Sequence, residues 1–201
     1  MRLTSYSLAF GLLAALALGG CSTTFTDSYS SVTDAGYHLP AIPIYQVPEK
    51  YHRQVVDFDT TEKPGTIIVD TKAKFLYFVM PDGQAMRYGI GVGREGFTWS
   101  GVAHIGMKRE WPTWTPPAPM IKRQPELVKY RDGMDPGLTN PLGARAMYLF
   151  NKGGDMGYRI HGSPEWWSIG HNVSSGCIRL MNQDVMDLYD RAQVGAKVIV
   201  R

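Results

Sequence analysis

Toward its C-terminal end the chain reads Tyr158-Arg159-Ile160-His161-Gly162-Ser163 and then, past Ser168-Ile169-Gly170-His171-Asn172-Val173, Ser174-Ser175-Gly176-Cys177-Ile178-Arg179-Leu180. A cysteine attacks a carbonyl as its thiolate, and an ordinary thiol is mostly protonated at neutral pH, so it needs a nearby base or dipole. His161 supplies an imidazole if the chain folds back on itself. Gly176 lets a substrate approach the backbone closely, and the amides of Ser175, Gly176 and Cys177 together could hold a developing oxyanion. These parts suffice for acyl transfer through a thioester, and that chemistry requires no metal, phosphate loop, nucleotide or other cofactor. The residues alone leave a second reading open, in which Cys177 is an inert core thiol and His161 a structural imidazole.

The elements that would position these groups are mostly strands. Thr66–Asp70, Phe75–Val79 and Met86–Val92 are short apolar runs separated by turn chemistry at Thr71–Lys74 and Pro81-Asp82-Gly83, which predicts an antiparallel meander. Ala146–Phe150, Tyr158–His161 and Lys197–Val200 are further strand candidates. One short helix is expected near Pro125–Tyr130. A clearer one spans Gln183–Ala192, with Asn182 as N-cap and Val185, Leu188, Tyr189 and Ala192 on one face. The fold class expected is mainly β with a few peripheral helices. Between Phe97 and Gly143 the chain is rich in Trp, Pro and Gly, and regular structure is not expected through Thr113-Trp114-Thr115-Pro116-Pro117. This segment either walls the site or closes a satellite core.

At 201 residues, 44% hydrophobic, the chain can build one substantial core, so one domain is expected. Its first twenty residues carry Arg2 as their one charge, followed by an uncharged Leu- and Ala-rich stretch too short to span a bilayer comfortably, the profile of a secretory signal. Leu18-Gly19-Gly20-Cys21 follows and resembles the lipobox of bacterial lipoproteins. The resemblance implies a mature chain that begins at lipidated Cys21 and is attached to a membrane through that lipid. Ser22 after it is similar to an outer-membrane address in Gram-negative lipoproteins, so a periplasmic, lipid-anchored protein is expected. Of the two cysteines in the sequence, the anchor takes one, which leaves Cys177 without a disulfide partner. Residues 22 to 34 read as a flexible tether, and Gly36 to Asp59 as an arm packed along the domain. The net charge of +3 is small, and no basic run with interleaved aromatics exists, which argues against a nucleic-acid partner.

The pairing of His161-Gly162 with Ser174-Ser175-Gly176-Cys177-Ile178-Arg179, twelve residues separating His161 from Ser174, resembles the signature of the L,D-transpeptidase family with its YkuD-type catalytic domain. Gly65–Asp70, Arg87–Phe97, Asn140–Arg145 and Asn182–Asp190 also read like that domain. The organisation expected is therefore a signal at 1–20, a lipid-anchored tether and arm at 21–64 and a catalytic domain at 65–201, with a YkuD-like β-sandwich or barrel fold.

The resemblance implies that Cys177 is the nucleophile, His161 its base, and Arg179 and Ser174 substrate-binding residues. It also implies a donor that is a peptidoglycan tetrapeptide stem. Cys177 would attack the carbonyl of the L-centre of meso-diaminopimelate and release D-alanine. An amine would then take the acyl group, either on a second diaminopimelate (a 3–3 cross-link) or on an envelope protein. Water as acceptor would make a carboxypeptidase or endopeptidase, and a chain without turnover would be a wall-binding lipoprotein. The family's usual His-Gly-Thr-Asn is replaced by His161-Gly162-Ser163-Pro164, followed by Glu165-Trp166-Trp167. His171 matches no family role and is expected at the surface.

Overall fold

A computed structural model describes residues 28–95 and 99–201. The signal, the lipobox with Cys21 and residues 96–98 lie outside the described residues. The protein is mainly β. Nine strands form one mixed sheet in the spatial order β12-β10-β9-β8-β13-β4-β5-β6-β3. In chain order these are β3 (Gln54–Asp57), β4 (Ile67–Asp70), β5 (Phe75–Val79), β6 (Gln84–Gly89), β8 (Gly101–Glu110), β9 (Arg145–Asn151), β10 (Gly154–Ser163), β12 (Ile178–Met181) and β13 (Lys197–Val200). Two small pairs stand apart, β1 (Val32–Asp34) with β2 (Tyr37–Leu39), and β7 (Val92–Gly93) with β11 (Asn172–Ser174).

The expected meander is β4-β5-β6, antiparallel throughout. The rest is not a simple meander, because β13 joins β4 in parallel and β12 joins β10 in parallel. Ile67, Ile68 and Val69 are all buried, as expected of a strand covered on both faces. The main core gathers Leu76, Tyr88, Ile105, Met147, Leu149, Ile160, Ile178, Leu180 and Val198 from seven strands, closed by Val185 and Leu188 of the helix α2 (Asn182–Arg191).

Two local expectations are corrected, and one long strand is added. Asn182 is not a cap: the N-cap is Met181, and Asn182 turns its side chain inward, where its oxygen accepts the N–H of Ala144 at 3.0 Å. Residues 28–34 are tied to the domain at Tyr29 and Asp34 and are not tether-like. Tyr29 is buried and its hydroxyl accepts the N–H of Arg53 at 2.6 Å, while Asp34 pairs with Arg145 at 2.7 Å. The long strand β8 lay hidden because a bulge between Ile105 and Met107 breaks its alternation; Gly106 sits there under the Phe150 ring, with no room for a Cβ.

Candidate active site

The parallel pairing of β10 with β12 sets out the site. His161 lies opposite Arg179, and Ile160 opposite Ile178. Cys177 immediately precedes β12, so it arrives beside Arg159, whose backbone N–H reaches the thiol. Residues two apart on a strand share a face, so Arg159 and His161 on one strand, with Cys177 and Arg179 on the next, form the corners of one tile. The crossover between the strands carries a 3-10 turn at Trp166–Ser168 and β11; the N–H of Gly170 donates to the carbonyl of Ile90 at 3.0 Å and the N–H of Val92 to the carbonyl of His171 at 3.1 Å, which tie the crossover down, while mutual backbone bonds between Gly91 and Arg179 at 2.9 and 2.8 Å hold β12.

Cys177 and His161 open onto one cavity of about 480 Å³, shared with Arg159, Arg179, Tyr148 and Leu142. Its other wall comes from the Trp- and Pro-rich segment: Thr113, Trp114, Thr115, Pro117 and Met120, the last on α1 (Ala118–Arg123). Both readings of that segment hold in part, since Trp111 closes a satellite core with Leu39 and Ala144, and Trp99 packs on the main core. Trp111 takes the left-handed conformation, φ 41°, as the chain leaves β8 for the wall. Its ring lies 4.1 Å from that of Tyr37 and its indole N–H donates to Asp34 at 2.6 Å, so the arm holds this corner in place.

The Nδ1–H of His161 donates to the carbonyl of Gly162 at 2.6 Å. A carbonyl only accepts, so the proton sits on Nδ1 and Nε2 carries the lone pair. Burial, followed by the charge of Arg179, pushes the imidazole down to about 3, against the opposing carbonyls of Gly162 and Pro141. Burial likewise pushes the Cys177 thiol up, opposed by the N–H of Arg159 and the charges of Arg159 and Arg179. Both directions leave a neutral thiol and a neutral imidazole on the same cavity.

Ser174 lines the cavity, and its hydroxyl and the Gly176 amide also serve the turn before β12. The Ser174 hydroxyl donates to the carbonyl of Cys177 at 2.6 Å and accepts the N–H of Gly176 at 3.2 Å, so it pins the turn that presents the thiol and is occupied. The Gly176 amide is thereby spent within the turn; its φ of 109° is what requires glycine there. Arg179 lines the cavity and pairs with Glu165 at 2.7 Å. His171 is exposed. The sequence alone did not mark Arg159 or Tyr148, and it marked Glu165 only as part of an altered loop; the same-face spacing of Arg159 with His161 was the available signal.

Residues 64–200 match the family model of the L,D-transpeptidase catalytic domain, YkuD. The chain is 35% identical over 155 residues to the probable L,D-transpeptidase ErfK/SrfK of Escherichia coli K12, which covers 73% of this chain and 46% of that protein. The chain thus spans about half the length of that curated relative. A crystal structure from Brucella melitensis, described as a probable carnitine operon oxidoreductase, is 48% identical, with a TM-score of 0.54 over 79% of this chain and 99% of that one. The avibactam carbamoyl enzyme of Ldtfm shares the fold at 18% identity and a TM-score of 0.52, covering 70% of this chain and 49% of its own. With the catalytic-domain model matching residues 64–200, more than half of its length, this chain belongs to the L,D-transpeptidase family.

Proposed function

We propose that the protein is a peptidoglycan L,D-transpeptidase with Cys177 as nucleophile and His161 as base. One observation carries the reading: Cys177 and His161 open on the same groove, with Nδ1 of His161 tied to a carbonyl so that Nε2 is the basic nitrogen. Nε2 takes the thiol proton as Sγ attacks the carbonyl of the L-centre of meso-diaminopimelate in a tetrapeptide stem. The tetrahedral oxyanion is held by the amides of Ser175 and Cys177, since that of Gly176 is engaged. Its collapse breaks the amide bond, and the imidazolium returns its proton to the departing D-alanine amine. An acceptor amine, on a second diaminopimelate or on an envelope protein, then displaces the thiolate from the thioester.

Incubation of the protein with tetrapeptide-bearing muropeptides and candidate amines, read by mass spectrometry, tests this. D-alanine release with a dimer or amine adduct is expected, and Cys177→Ala abolishes both. Unchanged product with that variant ends the proposal; release without any adduct makes water the acceptor.

The lipobox further supports a periplasmic protein held to the membrane through lipid on Cys21, since stable anchoring by acyl chains needs no spanning helix. Detergent-phase partitioning of the full chain, lost in Cys21→Ala, tests that point; a variant that still partitions ends it.

A further inference from the structure

The cavity is lined by three arginines, Arg123, Arg159 and Arg179, and among the described residues by no carboxylate. Arg159 and Arg179 occupy diagonal corners of the β10/β12 tile, with Cys177 across from one and two residues along from the other. Each is clamped on one edge by an acid outside the cavity lining. The Nη1 and Nη2 groups of Arg159 donate to the two oxygens of Asp155 at 2.7 and 2.8 Å, and Nη1 also donates to the carbonyl of Tyr158 at 2.9 Å. The guanidinium lies 4.2 Å from the centre of the Tyr148 ring, which itself lines the cavity. These contacts use the end-on edge of the guanidinium. They leave the side-on edge, Nε–H with the second hydrogen of Nη2, the geometry that receives a carboxylate through two parallel bonds.

Arg179 repeats the arrangement: Nη1 donates to Glu165, while Nε is buried without a protein partner. We propose that Arg159 is a second carboxylate-binding residue, so that the donor is bracketed by two guanidinium forks, one on either side of the thiol. This rests on the stem-peptide reading above. Such a donor carries a carboxylate on the leaving D-alanine and another at the D-centre of diaminopimelate, on opposite sides of the scissile bond. Asp155 acts as a positioning residue: it also accepts the N–H of Gly157 at 2.9 Å, which fixes the β10 bulge that aims Arg159.

The test is calorimetric titration of the Cys177→Ala protein with a synthetic tetrapeptide stem and with two derivatives, one amidated at the terminal carboxylate and one at the D-centre carboxylate. Each amidation is expected to weaken binding about tenfold to a hundredfold. Arg159→Gln should weaken the parent peptide by a similar factor and lose no further affinity toward one of the two amides. Arg159→Lys, which keeps charge but not the fork, and Asp155→Asn, which frees the clamp, should fall between. Should Arg159→Gln fail to fold by its melting curve, the last two variants carry the comparison. Equal weakening of all three ligands by the Arg159 variants, neutral amidations, or no binding of the parent peptide overturns the inference. D-alanine release by the wild-type protein is measured alongside: its absence sinks the transpeptidase reading, while the titrations judge carboxylate recognition independently.

Discussion

Gly162 and Asn182 leave no space between them: a Cβ on Gly162 would fall 2.3 Å from the side-chain oxygen of Asn182 and 2.9 Å from Val185. The same glycine supplies the carbonyl that fixes the His161 tautomer. Gly162→Ala must therefore push α2 away from β10 or shift the strand under the imidazole. The expected cost is about 1–3 kcal/mol of stability from overpacking, with turnover lower by roughly a hundredfold because small displacements of a catalytic base are expensive. Urea unfolding and D-alanine release measure the two. Wild-type turnover in the variant would show that the contact does not govern the base.

Ser174 separates positioning from binding. Its hydroxyl is committed to the turn around Cys177, so Ser174→Ala removes two hydrogen bonds, one buried and one part-buried, and loosens the nucleophile. The variant should lose on the order of 1–3 kcal/mol of stability, with kcat falling about tenfold or more and KM for the donor within about twofold. A rise in KM at constant kcat would restore Ser174 as a substrate contact.

What the sequence made legible was local. Cys177 stood out because it is the cysteine the lipobox leaves over, and the β4 and β5 strands because their apolar runs end in turns. Three features took their meaning from partners distant in the chain. Asp34 reads as a tether residue until Arg145 and Trp111 meet it. Asn182 reads as a cap until Gly143 and Gly162 make room for its side chain. Arg159 reads as one more strand residue until β12 docks in parallel and brings Cys177 beside it. The engagement of the Gly176 amide was not legible either, because spacing does not show that a neighbouring hydroxyl takes an amide.

The neutral resting pair predicts the reactivity of the thiol. With the Cys177 thiol pushed up by burial and His161 uncharged down to acid pH, no imidazolium is present to hold a thiolate at neutrality. Iodoacetamide alkylation, followed at the Cys177 peptide by mass spectrometry, should rise about tenfold per pH unit from pH 6 to 9, as the thiolate fraction does. A plateau between pH 5 and 8 would mean a preformed ion pair and would sink this account.

Two buried groups impose opposite pH dependence on stability. His161 is held near 3 when folded against an ordinary 6.5, so the unfolded chain binds its proton more tightly and stability is lost as pH falls below 6.5. Asp184 is fully buried, and burial pushes it up to about 7, only partly offset by Arg53 at 3.7 Å and by the Tyr29 hydroxyl. Its folded form holds the proton more tightly than the unfolded chain, so it adds stability as pH falls from 7 toward 4. Asp34, Asp155 and Asp187 are held below the usual carboxylate range and act only under about pH 4. Between pH 4 and 6.5 the His161 and Asp184 contributions therefore oppose each other, and the wild-type protein should show a shallow profile. Asp184→Asn uncovers the histidine, giving a loss of up to about 1.4 kcal/mol per pH unit on acidification over that window. His161→Gln uncovers the aspartate and reverses the sign. Urea midpoints at pH 4.5, 5.5 and 6.5 read both slopes, and parallel profiles for the two variants would refute the opposition.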